Sequence, residues 1–158
     1  MHDINVNAAV VSTCMEALFP IRHQFADRFY AKLFHQMPQV RELFVHDPRR
    51  QNTMLFSVIS MVLKGMDAGR NMTVEMAEFG RLHAKAGVRE EQFPIFGAVF
   101  LDTLIEFLPD MDHPRIAKAW WGVYTDVYEA IIEGMKAERA FQAEDRRVFR
   151  ANSGRALN

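Results

Sequence analysis

Between its prolines and glycines this chain repeats apolar residues every third or fourth position and almost nowhere every second one. That period puts them along one face of a helix and leaves no pattern for a half-buried strand. Residues Ile4 to Phe19 form the first predicted helix, and Pro20 suits the first position of a second, where its missing N–H costs nothing. The second helix repeats Ile21, Phe25, Phe29 and Leu33 at i+4, with Ala26, Tyr30 and Phe34 beside them, which predicts one buried stripe. Pro38 opens a short turn of helix ending near Leu43-Phe44. Asp47-Pro48 reads as N-cap and first residue of a helix carrying Leu55, Val58, Ile59, Val62 and Met66. After a loop around Asp67 to Asn71, Thr73 is expected to cap a shorter helix burying Met76, Phe79, His83 and Ala86, with Gly87 as its C-terminal cap. Glu90 and Glu91 suit the positive end of the next helix, which carries Phe93, Phe96, Phe100, Leu104 and Phe107 and stops near Pro109. Asp112-His113-Pro114 starts the last, with Ile116, Trp120, Val123, Val127, Ile131 and Met135 on one face. Seven or so helical segments predict an all-α domain.

A length of 158 residues supports one well-packed domain. A net charge of -1 and a pI near 6.6 exclude the electrostatic footprint of a nucleic-acid binder or a polybasic membrane-surface protein. The one cysteine, Cys14, leaves no internal disulfide and no thiolate zinc site. The N-terminus lacks the basic region of a signal peptide, and the longest apolar run, Pro94 to Leu101, is far shorter than the roughly 18 residues of a membrane span. A soluble cytoplasmic protein is the expectation; a cysteine-poor exported one is the alternative. The division expected is 1–136 as the domain and 137–158 as a helical extension or disordered tail. Counted from Lys136, that end of the chain carries six basic residues against three acidic ones and the apolar Phe141, Val148 and Phe149. It reads either as a frayed helix extension or as a docking or dimerising segment.

Thirteen of the 18 aromatic residues are Phe, and their arrangement around one histidine matters most. His83 falls on the apolar stripe of its helix, whereas His2, His23, His35, His46 and His113 fall at termini, on polar faces or beside turns. A core histidine satisfied by a backbone carbonyl is the simplest account. Its neighbours support another. Gly80, one turn earlier, removes a side chain near the imidazole and lets something bulky approach; Gly87-Val88 turns an apolar side chain back; Phe93 and Phe96 follow. An imidazole facing an aromatic slot, with no second ligand at helical spacing, suits a flat hydrophobic cofactor held through one metal bond, and haem is the natural candidate.

At this point Phe79-Gly80-Arg81-Leu82-His83-Ala84-Lys85-Ala86-Gly87-Val88 resembles the proximal helix and corner of a globin. The resemblance runs from about Val10 to Met135. Phe29-Tyr30-Ala31-Lys32-Leu33-Phe34, then Pro38 and Leu43-Phe44, is similar to bacterial flavohaemoglobins and related single-domain globins, and Ala119-Trp120-Trp121-Gly122-Val123-Tyr124 to their last helix. It implies a globin fold of about seven to eight helices around one haem b (iron protoporphyrin IX). By resemblance His83 is the axial iron ligand, Tyr30 and Gln51 are distal donors to a bound gas, and Phe44, Leu55, Val88, Phe93 and Phe96 contact the haem. Tyr30 offers an O–H and Gln51 an amide N–H2 to the partial negative charge on bound O2. Read singly, each is also an ordinary boundary or first-turn polar residue.

Two departures bear on function. Flavohaemoglobins continue into a flavin- and NAD-binding reductase, so turnover here is expected to need electrons from a separate reductase. Where those proteins place a Tyr and a Glu against the axial histidine, this chain has Phe93 and Met135. Met135 is 11 residues after Tyr124, about 20° away around a helix, whereas Glu133 is nine on and about 180° away. Without a carboxylate, His83 is expected to donate to a backbone carbonyl or be weakly held, which gives little electron push and poor O–O cleavage. The expected function is reversible binding of O2, NO or CO, in oxygen handling or as a nitric oxide dioxygenase with an external reductase. The alternatives are a gas sensor signalling through a partner or dimer interface, and a helical domain that has lost its haem. Monomer and homodimer are both open.

Overall fold

The computed structural model describes the backbone of residues 2–155 and the side chains of residues 6–153. Within that range the chain is all helical: α1 (His2–Leu18), a 3-10 segment (Phe19–Ile21), α2 (Arg22–Gln36), a second 3-10 segment (Pro38–Leu43), α3 (Pro48–Asp67), α4 (Thr73–Lys85), α5 (Gln92–Phe107) and α6 (His113–Arg155). The helix running out of the expected domain does not break at residue 136. It continues as one 43-residue α6, the longest element. The end of the tail, 156–158, where the extension is expected to fray, lies outside the described residues, as does Met1.

The punctuation works locally where the side chain can reach its own turn. Asp47 caps α3 by accepting from the Arg50 backbone N–H at 3.1 Å, and Asp112 does the same for Arg115 ahead of α6. Gly87, at φ +90°, closes α4: its N–H reaches Ala84 and that of Val88 reaches the His83 carbonyl at 3.0 Å. Four expectations fail. Pro20 lies inside the 3-10 segment rather than heading α2, and Ile21 is exposed, because Arg22 bonds the Phe19 carbonyl and stacks on the Phe19 ring to form a tight corner. Thr73 caps nothing; Met72 takes the N-cap position, and the Thr73 N–H is met by Asn71 Oδ1. Ala86 is exposed because it is the C-cap residue and already leaving the helix.

Packing is dominated by Phe. Phe25, Phe29 and Phe100 are fully buried, and Phe100 meets the other two edge-on at 5.3 Å. Phe56, whose place in the core the periodicity does not reveal, joins Phe25 at 5.9 Å. Each such ring contributes about 1.5–3 kcal/mol by burial. The ion pairs straddling α2 and α5, Arg28 to Glu106 at 2.9 Å and the half-buried Lys32 to both Asp102 and Glu106, have solvent-accessible carboxylates and contribute about 1 kcal/mol or less each. The rings, not the charges, join these helices.

Two glycine contacts set the helix spacing around His83. A Cβ on Gly80 would collide with the Ile131 carbonyl of α6, and a Cβ on Gly134 with the Ala77 carbonyl of α4. Gly80 therefore admits the backbone of another helix, not a cofactor. Gly97 works similarly on α5: it makes room for the Tyr124 ring, while its carbonyl accepts from Trp120 Nε1 at 2.9 Å.

Candidate functional site

His83 sits in the last turn of α4, half-buried, with its ring 4.1 Å from Phe79 and 5.8 Å from Phe93. Its Nδ1 lies 2.8 Å from the Phe79 carbonyl oxygen. A carbonyl has no proton to give, so Nδ1 carries the hydrogen and Nε2 keeps its lone pair. Burial pushes the imidazole pKa down, against the smaller upward effect of the Phe79 bond. The neutral ring is thus favoured, with one nitrogen oriented and the other available as a ligand. Glu133 is exposed and paired with Lys136, while Met135 is fully buried. A backbone carbonyl, not a carboxylate, orients His83.

Phe93 is held from behind, since the Tyr124 hydroxyl donates to the Phe93 carbonyl at 2.7 Å. Desolvation raises the Tyr124 pKa well above its usual value, so that bond keeps its proton. Phe96 stands 4.9 Å from Phe29, which in turn lies 5.0 Å from Tyr30. This run of rings connects the region of His83 to a second group of polar residues.

That second group is Tyr30 and Gln51. Gln51, in the first turn of α3, donates Nε2–H to the Tyr30 oxygen at 3.4 Å, a long bond. Tyr30 is nearly buried, and desolvation, against the smaller opposing effect of Gln51, leaves its pKa pushed up to about 12. The phenol is neutral at physiological pH and its hydrogen remains free to donate. Phe44 lies edge-on to Tyr30 at 5.2 Å. Tyr30, Phe44 and Gln51 line a cleft of about 290 Å³ together with Asp27, Phe34 and Asn52. Leu55, one turn after Gln51, and Val88 are both half-buried against the core. A larger groove of about 640 Å³, between the Phe19 corner and the outer side of α3, holds none of the expected site residues.

Three polar features escape sequence reasoning. Asn52 is only 2% exposed and donates to Asp27 Oδ1 at 2.8 Å, while its own Oδ1 has no partner. Glu138 is buried, and Arg139 reaches the Val88 carbonyl. Asn52 looks like a surface residue beside a helix start. Glu138 had one available signal, its place one turn beyond Met135.

Among the described residues no three His, Cys, Asp or Glu side chains converge as a metal site. A lone oriented imidazole with a free Nε2 beside aromatic rings fits a group that brings its own remaining ligands, as haem does.

A family model described as globin matches residues 27–131. The chain is 27% identical over 130 residues to a flavohemoprotein of Rhizobium meliloti (strain 1021), covering 79% of this chain and 32% of that protein. It thus spans about a third of such a curated relative. A bacterial globin from Campylobacter jejuni superimposes with a TM-score of 0.68 at 24% identity, over 83% of this chain and 95% of the other. An engineered carbene transferase from Rhodothermus marinus does so with a TM-score of 0.73 at 22% identity, over 87% and 96%.

Proposed function

The chain belongs to the globin family, and on that premise we propose that it holds one haem b through His83 and reversibly binds O2, NO or CO beneath Tyr30 and Gln51. The observation that carries this reading is the Nδ1 bond of His83 to the Phe79 carbonyl, which orients the ring and leaves Nε2 as the iron ligand. The haem supplies the iron to which the gas binds. Phe44, Leu55, Val88, Phe93 and Phe96 are assigned to its apolar faces.

The chain's own groups define the gas chemistry. Tyr30 accepts from Gln51 and so has its O–H left to give to a gas that gains negative charge on binding. Gln51 polarises that hydroxyl, and its second amide hydrogen is a further donor. Phe44 and Phe34 flank Tyr30 and restrict water around it. On the other side His83, oriented by a carbonyl, is a more neutral donor than one paired with a carboxylate, which favours gas binding over O–O cleavage.

The physiological use proposed is oxygen handling, or nitric oxide removal in which NO, O2 and one electron give nitrate, the electron coming from a separate reductase. The cytoplasm, where Cys14 stays reduced and buried, is the proposed compartment; among the described residues no helix is long and apolar enough to cross a membrane. We take 1–136 as the haem-binding unit and 137–158 as its extension. A sensing role, with the signal leaving through a homodimer or partner interface, is the second reading, favoured by Phe141, Val148 and Phe149, which are 63%, 51% and 73% exposed on the α6 extension. Absorption spectra of ferric, ferrous and CO-bound protein test the haem assignment. A Soret band lost in His83→Ala is expected, and a band unchanged by that substitution overturns it. A CO-dependent change in sedimentation would favour sensing.

A further inference from the structure

We propose that Glu138 and Arg139, just beyond the expected end of the haem-binding unit, are positioning residues for His83, gripping its helix and the corner that follows from both sides; this rests on the haem reading above. Arg139 reaches back 51 residues to donate NH2 to the Val88 carbonyl at 2.9 Å, and its NH1 meets Glu90 Oε1 at 3.0 Å. The backbone of Val88 is itself bonded to His83, since the Val88 N–H donates to the His83 carbonyl at 3.0 Å. His83, Val88 and Arg139 therefore form one series of hydrogen bonds from the ligand's backbone to α6.

Glu138 holds the other side. Its side chain is only 4% exposed, Oε2 lies 3.5 Å from Arg81 Nε, and Oε1 accepts from Gln142 at 3.1 Å. Arg81 precedes His83 by two residues on α4, and Val88 follows it by five. Successive residues of one helix thus attach before and after the ligand. The attachments are not equivalent to surface ion pairs. Glu138 is almost out of water, where losing its partner leaves a charge without compensation, and the Val88 carbonyl belongs to a corner whose turn depends on the positive φ of Gly87. Helix ends leave carbonyls without intrahelical partners, and a guanidinium that bridges one such corner to a carboxylate fixes its direction in two places. Anything that moves the α6 extension moves the corner, and through it the imidazole.

The test compares wild type, Arg139→Ala, Arg139→Lys and Glu138→Gln as full chains. Ferrous protein is read by the iron–histidine stretching frequency in resonance Raman and ferric protein by the rate of haem transfer to an acceptor apoprotein. Arg139→Ala is expected to shift or broaden the stretching band and to speed haem loss about tenfold, the effect of one charge-assisted hydrogen bond. Arg139→Lys, keeping the charge and one donor, is expected to recover part of both. A wild-type frequency and loss rate in both Arg139→Ala and Glu138→Gln overturn the proposal. Amide exchange on the haem-free chain separates this from failure of the haem reading. Faster exchange at Val88 and Phe93 in Arg139→Ala supports the grip even if wild type shows no Soret band, and unchanged exchange there overturns it. Faster exchange with an unmoved iron–histidine band reduces both residues to scaffolding and overturns the positioning role.

Discussion

Gly80 of α4 and Gly134 of α6 each face a backbone carbonyl of the opposite helix, Ile131 for the first and Ala77 for the second. The two helices touch main chain to main chain one turn before the histidine. An alanine at either site gains about 1 kcal/mol of helix propensity, but the added methyl meets backbone that cannot rotate away. Overpacking of that kind costs about 1–3 kcal/mol or more, so Gly80→Ala and Gly134→Ala should each lower the urea midpoint. A neutral or stabilising alanine at either position would show that the helices can part at little cost.

Removing the Tyr30 hydroxyl should accelerate O2 dissociation more than removing Gln51. Tyr30 keeps its one hydrogen free, whereas Gln51 has already spent one of its two on Tyr30. A hydrogen bond to a charged partner amounts to about 1.5–3 kcal/mol, or roughly ten- to a hundredfold in rate. Stopped-flow release from Tyr30→Phe and Gln51→Leu decides the order, and a larger effect in Gln51→Leu reverses the assigned roles.

Met135 is fully buried where the resemblance to flavohaemoglobins puts a carboxylate. Met135→Glu should raise the iron–histidine stretching frequency by making His83 a stronger donor, at some loss of stability for a buried charge. An unmoved band would mean that this position does not face the imidazole.

Alkali provides a test of the distal pair in the protein without haem. The folded pKa of Tyr30 lies above the value near 10 of a free phenol, so its contribution to stability is complete below about pH 10 and is lost as pH rises through 10 to 12. Ionisation of Tyr30 followed by ultraviolet absorbance should coincide with alkaline unfolding followed by circular dichroism. Comparison with Tyr30→Phe isolates its share; a Tyr30 step near pH 10 with the helices intact would contradict the burial.

How much of this was legible in the sequence depends on the reach of each interaction. Asp47, Asp112, Gly87 and the stripe leading to His83 act within a turn or two, and their roles follow from spacing. Thr73 and Pro20 are equally local, yet Asn71 and the Phe19–Arg22 contact outcompete them. The role of Gly80 was misplaced because its true partner, the Ile131 carbonyl, lies on a distant segment and has no side-chain signature. Asn52 and Glu138 are polar residues on polar-looking stretches, and only tertiary packing removes them from water. Of the candidate site, the residues could be named from pattern and resemblance; the donor direction at His83 and the pairing of Tyr30 with Gln51 required coordinates.

The length of α6 also has a consequence in time. Arg139 meets Val88 across 51 residues of intervening chain, and at synthesis rates of about 5–20 residues per second the earlier segment waits several seconds for its partner. The corner that follows the helix bearing His83 is thus made well before the segment that completes it. A nascent chain has its histidine seconds before it has the surface against which that histidine is set, so on the proposed reading secure cofactor capture waits until Arg139 has been made.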